Sequence, residues 1–247
     1  MTQVLTLDLW LLREPATLPP ALAASWEALL SAAERQRWQR FAREEERRRF
    51  LLVRALLRTV LGRALELPPA ALQLVADPLG KPRLAGLPPG RELQFNLSHT
   101  RGLSALAVCR GAEVGVDVED TRREVEHLAL ARRYFATREV EALELLSAAA
   151  QRELFFSQWT LKEAWVKAKG LGLRVPLDEF SFALTATEPP AITLHCDPQL
   201  LEDPANWSFR LLQQDSFRVA LALAHPAAAP LQLRVHDAAA LLDLPLR

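Results

Sequence analysis

The sequence predicts an α+β protein of two similar lobes. Two observations carry this. Helical segments are followed by antiparallel-looking strands, and that layout occurs twice along the chain. The 247 residues are 50% hydrophobic, enough for one large domain or two ordinary ones, each with a real core. That hydrophobic share, with 24% charged residues, excludes a disordered or collagenous chain, and the balance of thirty basic and thirty acidic residues argues against a dedicated nucleic-acid binder. Cys109 and Cys196 stand far apart with no partner motif, so neither a disulfide framework nor a cysteine metal site is expected. The first apolar stretch is short, contains Asp8 and has no basic residue before it. It fails as a signal peptide, no run is long enough to span a bilayer, and a cytoplasmic chain is expected.

Val4 to Leu12 reads as an opening strand, followed by a loop at Pro15, Pro19 and Pro20. A long helical region from Ser31 to Leu65 spaces Phe50, Val53, Leu57 and Val60 at helical intervals, so one face is buried. Pro68 and Pro69 end it, and the Pro- and Gly-rich stretch from Asp77 to Gly90 is loop with short extended pieces. Gln94–Ser98 and Ser104–Cys109 read as strands joined by a turn, and Val114–Glu119 as a third. The second half repeats the plan. Helix runs from Glu124 to Ala150 with a break near Ala136, then from Gln151 until Gly170 and Gly172 stop it. Strands follow at Phe180–Leu184, Ala191–His195, Trp207–Leu212 and Arg218–Ala224. The division is expected near Gly111 to Val114, giving lobes 1–112 and 113–247.

Four features carry chemistry. In Val114-Gly115-Val116-Asp117-Val118-Glu119 the valines share one face of a strand. Gly115, Asp117 and Glu119 share the other, with the carboxylates about 7 Å apart and space beside the glycine for a ligand. Such a pair can hold magnesium together with substrate phosphates. Taken alone, a solvated polar face is the commoner meaning. Glu163 and Lys167 lie one turn apart on a helix, as a plain ion pair or as ligands of a metal and its phosphate. Only four of the thirty basic residues are lysine, and three of them are Lys162, Lys167 and Lys169, which favours the second meaning. From Glu34 to Arg63 ten arginines face four glutamates. Part of that run is a solvated face, but the excess suits an anionic small molecule or an acidic protein. Asn96-Leu97-Ser98-His99-Thr100 ends a strand at a turn, where Ser98 and His99 could meet a phosphate or simply form the turn. No Walker loop, nucleophile elbow or dinucleotide glycine fingerprint occurs. Together the features describe a site for a phosphorylated anion and Mg²⁺.

Gly115-Val116-Asp117-Val118-Glu119, followed some forty residues later by Trp159-Thr160-Leu161-Lys162-Glu163-Ala164 and Lys167, resembles the paired signature of the 4′-phosphopantetheinyl transferases of the longer, surfactin-synthetase type. Phe95-Asn96-Leu97-Ser98-His99, Gly80-Lys81-Pro82 and the Arg-rich helix around Trp38, Phe41 and Arg49 extend the likeness over residues 31 to 184. The resemblance implies two pseudo-dimeric lobes with the active site in the cleft between them. It implies transfer of the phosphopantetheine arm of coenzyme A to a serine of an apo acyl, aryl or peptidyl carrier protein, releasing 3′,5′-ADP. Asp117, Glu119 and Glu163 would hold Mg²⁺. Asp117, Glu163 and Lys167 would serve catalysis, with Lys162 beside the phosphate and Glu163 as base, Glu139 being the rival. Ser98 and His99 would hold the nucleotide phosphates, and Arg37, Arg49 and Lys81 the 3′-phosphate, while Glu34 stands where some relatives carry a lysine. A monomer is implied, with neither nucleic acid nor membrane as partner. Two other uses of the same carboxylates are a Mg²⁺-dependent nucleotide phosphohydrolase and a non-enzymatic lobe that binds coenzyme A or carrier proteins.

Overall fold

One strand, three helices and four strands succeed one another, and then the same order recurs. The structure, a computed structural model, describes residues 4–226 and 229–244. The first round is β1 (Leu5–Arg13), α1 (Pro20–Glu27), α2 (Ala32–Gln39), α3 (Glu44–Leu65), β2 (Gln73–Ala76), β3 (Pro82–Ala85), β4 (Gln94–Thr100) and β5 (Leu103–Cys109). The second is β6 (Val114–Asp120), α4 (His127–Tyr134), α5 (Thr137–Glu144), α6 (Ala148–Lys169), β7 (Phe180–Leu184), β8 (Ile192–Cys196), β9 (Trp207–Gln214) and β10 (Phe217–Ala224). A last strand, β11 (Leu231–Asp237), follows.

The sheets repeat as well. β1-β5-β4 in the first round has the antiparallel order of β6-β10-β9 in the second. Each carries a 22-residue helix on its outer face. On α3, Leu52, Leu56 and Leu61 pack with Phe95, Leu106 and Val108 of the first sheet. On α6, Leu161, Trp165 and Ala168 pack with Ala220, Ala222 and Phe209 of the second. The inner faces meet, Leu7, Leu9, Ala105 and Ala107 against Val114, Val116, Val219 and Leu221, all buried. The α+β fold with two similar lobes is as expected.

β11 departs from the plan. It pairs in parallel with β1, Leu5 opposite Leu231 through Leu11 opposite Asp237, and so adds residues of the expected second lobe to the first lobe's sheet. The strands expected from the sequence end at Ala224 and none falls here, although Leu231, Leu233 and Val235 alternate with polar residues. α1 falls where three prolines suggested loop, because Pro20 occupies the first helical position, where its missing N–H costs no bond. The expected helix Ser31–Leu65 is two helices. Ser31 and Glu34 form a reciprocal cap at the start of α2, and Trp38 Nε1 donates to the Arg47 carbonyl at 3.1 Å across the break. α3 then restarts with Glu44, Glu45 and Glu46 in its first turn, where the helix dipole favours anions.

A second correction concerns Gly115. The face it shares with Asp117 is not open to a ligand there, because α6 lies on it. A Cβ at Gly115 would stand 1.9 Å from the Ala164 carbonyl oxygen and 2.4 Å from the Ala168 nitrogen. Both obstacles are helix backbone and cannot yield without moving α6. Gly115→Ala is therefore expected to cost about 1–3 kcal/mol or more, seen as a fall of several degrees in Tm. It should also displace Glu163 and Lys167, which α6 carries. A variant with unchanged Tm would show that the helix has slack.

Candidate active site

Small residues set the height of α6 above its sheet. Gly115, Ala220 and Ala222 below, and Ala164 and Ala168 above, let helix and strands approach closely. Trp159, Glu163 and Lys167 follow one another at four-residue intervals along one stripe of α6. That stripe runs beside Asp117 and Glu119 of β6, and Ser98 arrives from β4 of the other repeat.

Three side chains from three elements meet at one point. Asp117 Oδ1 accepts from Ser98 Oγ at 2.8 Å and from Lys167 Nζ at 2.6 Å, and Lys167 Nζ also donates to Ser98 Oγ at 3.0 Å. Asp117 Oδ2 is buried and has no hydrogen-bond partner among the described residues. Asn96, two residues before Ser98 on the same face, accepts from the Val116 N–H at 3.0 Å and locks β4 to β6. Glu119 is held on both sides. Trp159 Nε1 donates to its Oε1 at 3.1 Å, and Arg123 stands 3.3 Å from its Oε2. Glu163 has neither hydrogen bond nor ion pair among the described residues, and with Lys81, Asn96, Leu97, Val166 and Lys167 it lines a cleft of about 350 Å³.

Asp117 raises the proton affinity of the two glutamates beside it. Burial, and then the Asp117 charge, push Glu163 above its ordinary value and Glu119 up to about 7. For Glu119 the sign of the pH effect follows. Unfolded, the group titrates near 4.5, so between that pH and about 7 the folded chain binds the extra proton. Stability then falls as pH rises through this window. Without added divalent cation, Tm should be lower at pH 8 than at pH 5.5, and Glu119→Gln should flatten the slope; an unaltered slope would assign the effect elsewhere.

Among the described residues no three carboxylate, imidazole or thiolate groups are arranged to hold a metal alone. The residues nevertheless fit a shared cation. Asp117 has an orphaned buried oxygen, Glu163 has no hydrogen bond or ion pair among the described residues, and both raised carboxyls owe part of their shift to Asp117. Magnesium needs only one or two carboxylates when phosphates supply the remaining oxygens. Asp117 and Glu163, with Glu119 beside them, are the residues that would hold it.

Two expected roles are overturned and a third is redirected. Lys162 does not face the cleft. One residue along the helix from Glu163, it points to the opposite side and is fully buried. Its Nζ pairs with Glu139 Oε2 at 2.7 Å and donates to the Leu177 and Phe180 carbonyls. Glu139 therefore cannot be the rival base: its other oxygen accepts from the Phe182 N–H at 2.9 Å, inside the core. Lys81 sends its ammonium to the Ala168 carbonyl at 2.8 Å and to Glu113 at 3.0 Å, bracing the end of α6.

Arg37 and Arg49 belong to a separate basic wall. Arg37 and Arg54 both lie over the Phe50 ring, and Arg49 pairs with Glu14. His99, exposed on β4, is depressed by the surrounding protein and then by the Arg49 charge, which keeps its imidazole neutral at pH 7. Glu34 is occupied structurally. Against the penalty of burial, the Ser31 N–H and Arg58 hold its carboxyl below the ordinary value. Arg54, Arg123 and Trp159 were not singled out by sequence reasoning. For Trp159 the signal existed, four residues before Glu163; Arg54 and Arg123 were hidden among twenty-four other arginines.

Comparison with known proteins identifies the family. Residues 113–222 match the model of the 4′-phosphopantetheinyl transferase superfamily, and residues 21–110 that of a 4′-phosphopantetheinyl transferase N-terminal domain. The 4′-phosphopantetheinyl transferase HetI of Nostoc sp. is 38% identical over 181 residues, 73% of this chain and 75% of its own. The transferase Sfp of Bacillus subtilis is 29% identical over 204 residues, 81% of this chain and 84% of its own. A phosphopantetheinyl transferase of Thraustochytrium sp. is 32% identical over 234 residues, covering 90% and 80%. A solved apo-ACPS structure of Chronobacterium ammoiniagenes overlays 46% of this chain and 95% of its own, with 16% identity and a TM-score of 0.37. With its carboxylates and lysine gathered where the two repeats meet, the chain belongs to the 4′-phosphopantetheinyl transferase superfamily.

Proposed function

We propose that the chain transfers the 4′-phosphopantetheine arm of coenzyme A to a serine hydroxyl of an apo acyl, aryl or peptidyl carrier protein, leaving 3′,5′-ADP. The observation that carries this is the convergence of Ser98, Asp117 and Lys167 beside an unpaired Glu163 in the cleft. The carrier serine attacks the β-phosphate in line. Its O–P bond forms, the bond from that phosphorus to the bridging oxygen breaks, and the electron pair leaves with 3′,5′-ADP. Glu163 takes the serine proton. Its raised proton affinity makes it a better acceptor than an exposed glutamate. Lys167 neutralises charge on the phosphates as it develops. Magnesium, when bound, supplies Lewis-acid stabilisation of the same oxygens. Asp117 holds Lys167 beside the cleft in the free chain, and Trp159 fixes Glu119. Arg37, Arg49, Arg54 and the neutral His99 form the wall for the nucleotide phosphates.

Because both repeats of one chain contribute to the cleft, a monomer suffices. The exposed arginines between Arg122 and Leu146 suit an acidic carrier, and a cytoplasmic setting suits the reaction. Among the described residues no helix is long and apolar enough to cross a membrane. Mass spectrometry of an apo carrier incubated with the chain, coenzyme A and Mg²⁺ tests the proposal. Gain of one phosphopantetheine arm, lost with chelator, is expected. Hydrolysed nucleotide without transfer would favour a phosphohydrolase, and bound coenzyme A without reaction on several carriers a binding module.

A further inference from the structure

The anions of the site are fixed and its cations can leave. Asp117 is anchored by Ser98 at 2.8 Å, and Glu119 by the Trp159 indole at 3.1 Å. Their side chains are only 7% and 13% exposed. The charges resting on them are less confined. Lys167 is 30% exposed and Arg123 is 48% exposed, each at the end of a long flexible stem. A divalent cation approaching the chain alone meets an ammonium on Asp117 and a guanidinium on Glu119. A pyrophosphate meets the opposite situation, since both groups are good phosphate donors and are attracted off their carboxylates.

We propose that Lys167 and Arg123 are exchangeable counter-ions: they neutralise Asp117 and Glu119 in the free chain, and move to the phosphates of coenzyme A when it binds. The carboxylates then accept a divalent cation together with those phosphates and not ahead of them. This assigns Arg123 a place among the substrate-binding residues, and it rests on the transferase reading above. Binding of the two ligands is reciprocally coupled, because whatever coenzyme A does for the cation the cation does for coenzyme A.

Calorimetric titration of Mg²⁺ into the full chain, alone and saturated with coenzyme A, tests the coupling, with binding of Mg²⁺ to free coenzyme A subtracted. At least about tenfold tighter binding is expected in the presence of coenzyme A. Lys167→Met and Arg123→Gln should each tighten Mg²⁺ binding to the chain alone by about fivefold or more. Both should weaken binding of coenzyme A without Mg²⁺. An ion pair that only stabilised the fold would not raise metal affinity when broken. Arg123→Gln alters an exposed side chain and keeps the test decisive should Lys167→Met melt early. Equal Mg²⁺ affinity with and without coenzyme A, or unchanged or weaker binding in Arg123→Gln, would overturn the inference. If the wild-type chain still modifies a carrier protein, only the counter-ion inference falls. If it modifies none, the transferase reading falls, whatever the calorimetry shows.

Discussion

Glu163→Gln is expected to lower the rate of carrier modification about 10²–10⁴-fold while changing the affinity for coenzyme A far less. The substitution keeps size and shape and removes the proton acceptor and one negative oxygen from the cleft. Glu163 has no hydrogen bond or ion pair among the described residues, so nothing in the fold depends on its charge. Arg37→Ala provides the contrast. It removes an exposed cation from the basic wall, away from the carboxylates, and should raise KM for coenzyme A with kcat nearly unchanged. Steady-state kinetics and direct binding of coenzyme A distinguish the two. A Glu163→Gln enzyme within tenfold of wild type would place the base elsewhere. Equal losses of kcat in both variants at unchanged affinity would contradict both roles.

Glu139→Ala should be the most destabilising change outside the cleft, by about 3–5 kcal/mol. It leaves Lys162 fully buried with its countercharge gone, held by two carbonyls and the faces of the Phe135 and Phe180 rings. It also strips the Ala136 and Phe182 N–H groups of their acceptor. The pair ties the start of α5, the middle of α6 and β7 together, so denaturant unfolding should show the loss as a lower midpoint. Replacing both members, Glu139→Leu with Lys162→Met, should recover much of it, because an apolar pair of similar volume avoids the desolvation penalty. A single variant losing less than about 1 kcal/mol would mean that water reaches Lys162.

The comparison of Lys162 with Lys167 shows what the sequence can and cannot tell. Both sit in one motif, and lysine scarcity marked both. Five residues along a helix turn a side chain through about 500°, so one faces the cleft and the other the core. Only the position of the sheet under α6 decides which. Asp117, Glu163 and Lys167 were legible because their chemistry and spacing coincide. Gly115 was legible as special, but its reason was not: the same absence of a side chain serves a ligand or a helix backbone. Regular elements with clear periodicity, such as β4, β5, α6 and β10, came within a few residues. β2, β3 and α1 did not, because short or proline-bearing segments take their conformation from what they pack on. Arg123 was invisible for a different reason. Its partner Glu119 is near in sequence, but its importance depends on which other cations can reach that carboxylate.

The parallel pairing of β11 with β1 has a consequence for how the chain is made. Leu5 and its partner Leu231 are separated by 226 positions. At a synthesis rate of roughly 5–20 residues per second, about 10–45 s pass between the emergence of one and the other. Through that interval the outer edge of β1 carries unsatisfied N–H and C=O groups, and its apolar side chains lack their cover. The first repeat can collapse early on α3, yet its sheet has an open flank until the final strand docks. Nascent chains should therefore be most prone to aggregation late in translation, after Asp117, Glu163 and Lys167 have already been made.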